Sequence, residues 1–274
     1  MMRLFGLLLA FIAFWSPGRA AGADIAELYR ATAIVTGTRE ETRLKGFEDC
    51  LRSVLLKVSG DQRVLADPRL APLLAKASNL ITAFHYHDRM SGIPIHDEQG
   101  THDRPFDLTC DFEQGKLDAM LASLGEKPWT APRPSIALFV SVRNGPSAFV
   151  LAADDRDSAI MREAFAEAAE ALAIPILFPK REDLRRIGLD AGSLPRTGLP
   201  VFDAFAGEIG GSRALAGSIV WSDREMGWVA EWRFFDGRGT AIWQVHGVNF
   251  DKAFQSAMRG VAQILSGNGD PPAR

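Results

Sequence analysis

Apolar residues recur every three to four positions from Arg39 to Val58: Phe47, Cys50, Leu51, Val54 and Val58 share one face, and Ser59-Gly60 ends the run. A long amphipathic helix is predicted there, capped near Thr38, with a strand over Leu28 to Val35 ahead of it. Asp67-Pro68 opens a second, shorter helix through Ala77. Asn79 to His87 and Arg104 to Asp111 read as strands joined by a polar loop containing Gly92, Pro94 and Gly100. Phe106, Leu108, Cys110 and Phe112 alternate with polar neighbours, which gives the second of these strands one apolar face. Glu113 to Leu124 follows as a helix stopped by Gly125. Helices gathered on one face of a small sheet predict an α+β sandwich over residues 24–127.

Pro128, Pro132 and Pro134 surround Trp129 and stiffen residues 128–134 as a linker, because a residue ahead of proline is held extended. Beyond the linker the pattern changes. Ser135 to Val142 is an unbroken apolar run, as in a buried strand. Asp154, Asp155 and Asp157 precede an alanine-rich helix to about Leu172, and Ile174 to Phe178 is a short strand. This βαβ start favours a parallel pair with a right-handed crossover. After a helix over Leu199 to Ile209, the runs Arg213 to Trp221, Met226 to Asp236 and Gly239 to Val248 predict an antiparallel meander. Its turns fall at Ser222 to Glu225 and at Asp236-Gly237-Arg238-Gly239. Phe250 to Leu265 is a last helix, and residues 267–274 read as a disordered polar tail. Residues 135–266 are thus expected to form a second sandwich domain, of α/β character.

The amino terminus follows neither rhythm. Arg3, the apolar run Leu4 to Trp15 and the motif Ala21-Gly22-Ala23 make residues 1–23 an export signal cleaved after Ala23. The run falls short of the ~20 apolar residues of a membrane span. No cysteine for lipid attachment follows it before Cys50. The expected address is the periplasm of a bacterium, with no membrane span after cleavage. Loss of Arg3 and Arg19 leaves 29 of the 31 basic residues against 34 acidic ones, a net charge of −5. Mild acidity without a basic stripe argues against nucleic acid. Neither a phosphate-binding loop nor a dinucleotide fingerprint is present, and no cofactor is expected.

A set of motifs carries a family resemblance: Leu51 to Gly60 (LRSVLLKVSG), Leu117 to Trp129 with its Gly-x-x-Pro-Trp ending, Arg133-Pro134, and Ala214 to Gly247 with Gly217, Trp228, Trp232 and Trp243. In order and spacing the chain resembles the exported bacterial family catalogued as domain of unknown function 2066, over roughly residues 26–265. The resemblance implies an envelope address and no catalytic residues. The second domain is also similar, more loosely, to small periplasmic domains such as the amino-terminal domain of the Tol-system propeller protein.

Cys50 and Cys110 are the only cysteines, and both face inward from elements of one predicted domain. In an oxidising compartment they are a disulfide candidate, closing a loop worth roughly 4 kcal/mol; the alternative is two buried thiols. His85 and His87 lie two apart on a strand and so share a face, where a zinc or copper ion would find two imidazoles. Asp88, His96, Asp97, His102 and Asp103 are the candidates to complete that shell; otherwise the histidines belong to a solvated strand end. Met226, Trp228, Ala230, Trp232 and Phe234 alternate onto one face, which reads first as core beneath helices and second as a ligand platform at Trp228 and Trp232. Glu231 and Arg233 form a surface charge pattern, and Ser212 and Ser218 lack a nucleophile elbow. The resulting expectation is an exported, non-enzymatic module that binds or scaffolds an envelope protein or a peptidoglycan-associated partner. The alternatives are a metal-dependent hydrolase at His85 and His87, and a small-ligand binder with an interdomain cleft near Trp129.

Overall fold

A computed structural model describes residues 25–92 and 103–272, so the expected export signal lies outside the described residues. The elements run α1 (Ile25–Leu28), β1 (Arg30–Thr36), α2 (Glu40–Ser59), α3 (Leu70–Leu74), β2 (Ile81–Asp88), β3 (Pro105–Phe112), α4 (Gln114–Leu124), β4 (Ile136–Asn144), β5 (Ser147–Val150) and α5 (Ala159–Glu170). They continue with β6 (Ile176–Leu177), α6 (Arg181–Arg186), α7 (Leu199–Glu208), β7 (Arg213–Ser222), β8 (Gly227–Phe235), β9 (Thr240–Val248) and α8 (Phe250–Leu265). The fold is α+β, with two open sheets.

β3 is the centre of an antiparallel sheet of order β1-β3-β2, with Cys110 opposite Ala31 on one side and Phe84 on the other. The apolar face of α2 closes over it, burying Cys50, Leu51, Val54 and Val58 against Leu108 and Cys110. The opposite face of the sheet carries exposed Thr32, Ile34 and His85. The helix expected from Asp67 to Ala77 is corrected: only Leu70–Leu74 is α-helical, flanked by 3-10 turns at Gln62–Ala66 and Ala77–Asn79. Pro68 and Pro72 remove two backbone donors, and the Asp67 carboxylate accepts the Arg69 backbone N–H at 2.8 Å, a local bond that competes with a helix.

The second sheet has the order β5-β4-β7-β8-β9, and the short β6 also pairs with β4. β4 runs parallel to both β6 and β7, and the remaining pairs are antiparallel. The unbroken apolar run is explained by cover on both faces. Ile136, Leu138, Val140 and Val142 point into the core under α5 and α8, whereas Ala137 and Phe139 meet Phe202 and Phe205 of α7. Trp232 is fully buried and lies over Gly217, where a Cβ would sit 2.2 Å from the ring. Trp243 likewise lies on Gly260 of α8, with 2.5 Å to a built Cβ. Gly217 thus admits the indole of its cross-strand partner, and Gly260 sets how closely α8 approaches the sheet.

The two sheets meet at the carboxyl end of α2, whose last carbonyls lack partners within the helix. Gly60 closes the helix in the left-handed region, at φ 71°. The Trp129 N–H donates to Val58 O at 2.7 Å, and Arg133 Nη2 donates to Lys57 O at 2.7 Å. Arg133 also stacks over the Trp129 ring at 4.2 Å. From the far end of the chain, Asn268 Nδ2 donates to Ser59 O at 3.1 Å, and Arg63 Nη2 donates to Asn268 O at 2.8 Å. Within the stretch read as a polar tail, Asn268 is thus bonded to the first half of the chain.

Candidate functional site

A cleft of about 440 Å³ opens where α2 faces α5 and α8. Helical spacing puts its residues in line: Ser53 and Leu56 from α2, Ala164, Glu167 and Ala168 from α5 with Ala171 just past its end, and Asp251, Gln255 and Arg259 from α8. The alanines and Leu56 make an apolar floor, and the polar side chains form the rim. Asp251, Gln255 and Arg259 stand four residues apart, so a single ridge of α8 presents an acid, an amide and a guanidinium to the opening.

Arg259 differs from most arginines of this chain. It is half-buried, and among the described residues it makes no hydrogen bond or ion pair. Burial pulls its ionisation below the ordinary arginine value, with no counter-charge to offset the loss of solvent. By contrast, Arg186 reaches Glu208 at 2.7 Å and Arg63 reaches the buried Asp61 at 2.6 Å. Pattern reading missed Arg259. The available signal was the Asp251, Gln255, Arg259 series on the polar side of an otherwise apolar helix.

The cleft expected near Trp129 is displaced. Trp129 is buried in the same core cluster as Leu56, and only Leu56 of the two lines the opening. His85 and His87 do share an exposed strand face, and His87 Nδ1 lies 3.6 Å from Asp107 Oδ2. Among the described residues no group of three or more metal-ligating side chains forms. Asp88 accepts from Arg104 at 3.0 Å and Asp103 pairs with Arg39, while His96, Asp97 and His102 lie outside the described residues.

The first reading of this ladder, as core, fits the burial: Trp232 is fully buried against Phe165 of α5 and Phe254 of α8, and Trp228 is buried in the same cluster, edge-on to Trp221. Glu231 accepts from Gln244 at 2.7 Å, and Arg233 donates to Leu194 O and Thr197 O, tying down the turn before α7. Ser212 Oγ lies 3.3 Å from Ser135 Oγ, and Ser218 stands opposite Glu231 in the sheet register. Cys50 and Cys110 are both fully buried and free. No helix among the described residues is long and apolar enough to cross a membrane.

Residues 22–130 match a family model described as Domain of unknown function (DUF8605). The match takes in the first sheet and its helices and ends just after Trp129. It corrects the resemblance to domain of unknown function 2066: two of the motifs that carried it, the helix ending in Val-Ser-Gly and the Pro-Trp pair, fall within a stretch matched by a different family, while Arg133-Pro134 and Ala214 to Gly247 lie outside the match. No curated protein and no solved structure matches the chain.

Proposed function

We propose that the chain is an exported envelope protein that binds its partner without transforming it, and that a small ligand bearing an anionic group occupies the cleft between α2, α5 and α8. One observation carries this reading: Arg259 stands half-buried at that opening and, among the described residues, pairs with no carboxylate, the rim acids Glu167 and Asp251 included. A desolvated guanidinium without a partner costs free energy, which a carboxylate or phosphate entering the cleft offsets through charge-assisted hydrogen bonds. The floor of Leu56 and alanines suits an aliphatic portion of the same ligand. The volume fits the ~300–1,000 Å³ range of small-molecule sites. A binding role is supported by the lining itself, which holds no histidine, cysteine or lysine, and by Ser53, whose hydroxyl donates to Asp49 O in its own helix at 3.0 Å. The periplasmic address rests on the leader pattern of residues 1–23.

Calorimetric titration with inorganic phosphate, succinate and octanoate tests the assignment. At least one probe is expected to bind the full chain with salt-dependent affinity, and Arg259→Gln to weaken that binding by tenfold or more. Failure of all three probes, or equal binding by Arg259→Gln, overturns it.

A further inference from the structure

The Cys50 sulfur lies against the strand that carries Cys110. Cys50 Sγ is 3.4 Å from Leu108 O and 3.5 Å from Ala31 O. Ala31 is the cross-strand partner of Cys110, and Leu108 precedes Cys110 on the same face of β3. The α2 sulfur is therefore placed over the strand position from which the Cys110 side chain rises. Both residues are 0 % exposed. The neighbouring Cys110 thiol first, and burial second, push the Cys50 thiol well above the ordinary cysteine range. In the closed core both sulfurs are sealed from solvent and out of reach of reagents.

We propose that Cys50 and Cys110 are oxidised to a disulfide that staples α2 to β3, and that the bond forms while the chain folds, before the core shuts over the pair. The proposal draws its oxidising setting from the exported reading above, though the chemical competence of the pair does not depend on it. In the partly folded chain one cysteine thiolate attacks the disulfide of a small oxidant such as oxidised glutathione. A mixed disulfide forms and one oxidant thiol leaves. The second cysteine thiolate then displaces the other oxidant thiol. The pair gives up two protons and two electrons in all, and the oxidant's disulfide is reduced to two thiols. Once α2 has docked, no oxidant reaches sulfurs with no exposed surface, so the redox state of the folded protein is sealed.

Refolding the purified full chain from denaturant separates this from the question of address. In an oxidised and reduced glutathione buffer, the refolded protein is expected to be 2 Da lighter by intact mass and to take up no alkylating reagent in denaturant. Its thermal midpoint is expected to exceed that of the reduced protein by about 10 °C. Cys110→Ala, in contrast, should melt at one temperature with or without reductant. Two alkylated thiols after oxidative refolding overturn the bond. Oxidised glutathione added to the already folded, reduced protein should convert it at least a hundredfold more slowly than it converts the refolding chain. Equal rates overturn the proposed order of events.

Discussion

Asn268 donates its side-chain amide to the Ser59 carbonyl at 3.1 Å, joining residues 209 apart in sequence. A loop at the end of the chain thereby caps the helix that covers the first sheet. The same loop accepts from Arg63, whose guanidinium also holds the buried Asp61, and Gln62 Nε2 donates to Gln263 Oε1 at 2.9 Å beside it. The junction of the two sheets is thus a polar seam around the end of α2. Asn268→Ala is expected to lower stability by ~1 kcal/mol, the cost of a part-buried carbonyl left without its donor. Truncation after Ser266 also removes the Arg63 acceptor and should cost about 2–3 kcal/mol. Urea unfolding checks both, as a lower midpoint at unchanged slope.

Gly217 and Gly260 let two tryptophans lie flat on their backbones. A methyl at either place would stand 2.2 or 2.5 Å from an indole carbon, far inside contact distance. Because sheet and helix both fix the rings, Gly217→Ala and Gly260→Ala should each destabilise by about 3 kcal/mol or more. Gly207 of α7 is the control, with open space where its Cβ would go. There Gly207→Ala should be neutral or stabilising by up to ~1 kcal/mol. Thermal denaturation of the three variants gives the comparison.

Tyr29 Oη donates to Asp118 Oδ1 at 2.8 Å. Burial first, and then the Asp118 carboxylate, push the phenol's ionisation well above its ordinary value. The unfolded chain loses that proton near pH ~10 while the folded chain keeps it. The stabilisation is fully present below pH ~10 and declines as pH climbs beyond it. Denaturation midpoints measured from pH 8 to 11.5 should fall in the upper half of that range. Tyr29→Phe should start lower at pH 8, for want of the hydrogen bond, and fall less steeply.

Much of this architecture was legible in the residue pattern, for reasons that are local. α2 and α8 have long amphipathic repeats with a glycine or asparagine at a boundary, and β3 and β8 alternate cleanly because one face of each meets a helix. The inward aim of Cys50 and Cys110 came from the same periodicity. What escaped was too short or too polar to carry a rhythm. β5 is a four-residue edge strand whose partners lie in β4, and α6, with the sequence REDLRR, buries only Leu184. It is started by Asp183, whose carboxylate accepts the Lys180 N–H at 3.2 Å. The cleft escaped for a different reason. Its walls come from three helices far apart in sequence, and no local signal states that α2 will face α5 and α8.

Arg259 offers the sharpest separation of a binding residue from a structural one. Its guanidinium finds no hydrogen-bond or ion-pair partner among the described residues, although the side chain is half-buried. Arg259→Met keeps most of the apolar stem and removes a desolvated charge, so the fold should be unchanged or up to ~1 kcal/mol more stable. Arg233, half-buried on β8, is the contrasting case, because its guanidinium donates to Thr197 O at 3.0 Å and Leu194 O at 3.1 Å. Arg233→Met should cost about 1–3 kcal/mol by freeing the turn before α7. Stability lost at Arg233 and retained at Arg259, together with anion binding lost only at Arg259, is the combination expected of a side chain kept for a ligand at the expense of the fold. A loss of stability at Arg259 equal to that at Arg233 would instead make it a strut of the helix packing, and the cleft would lose its recognising group.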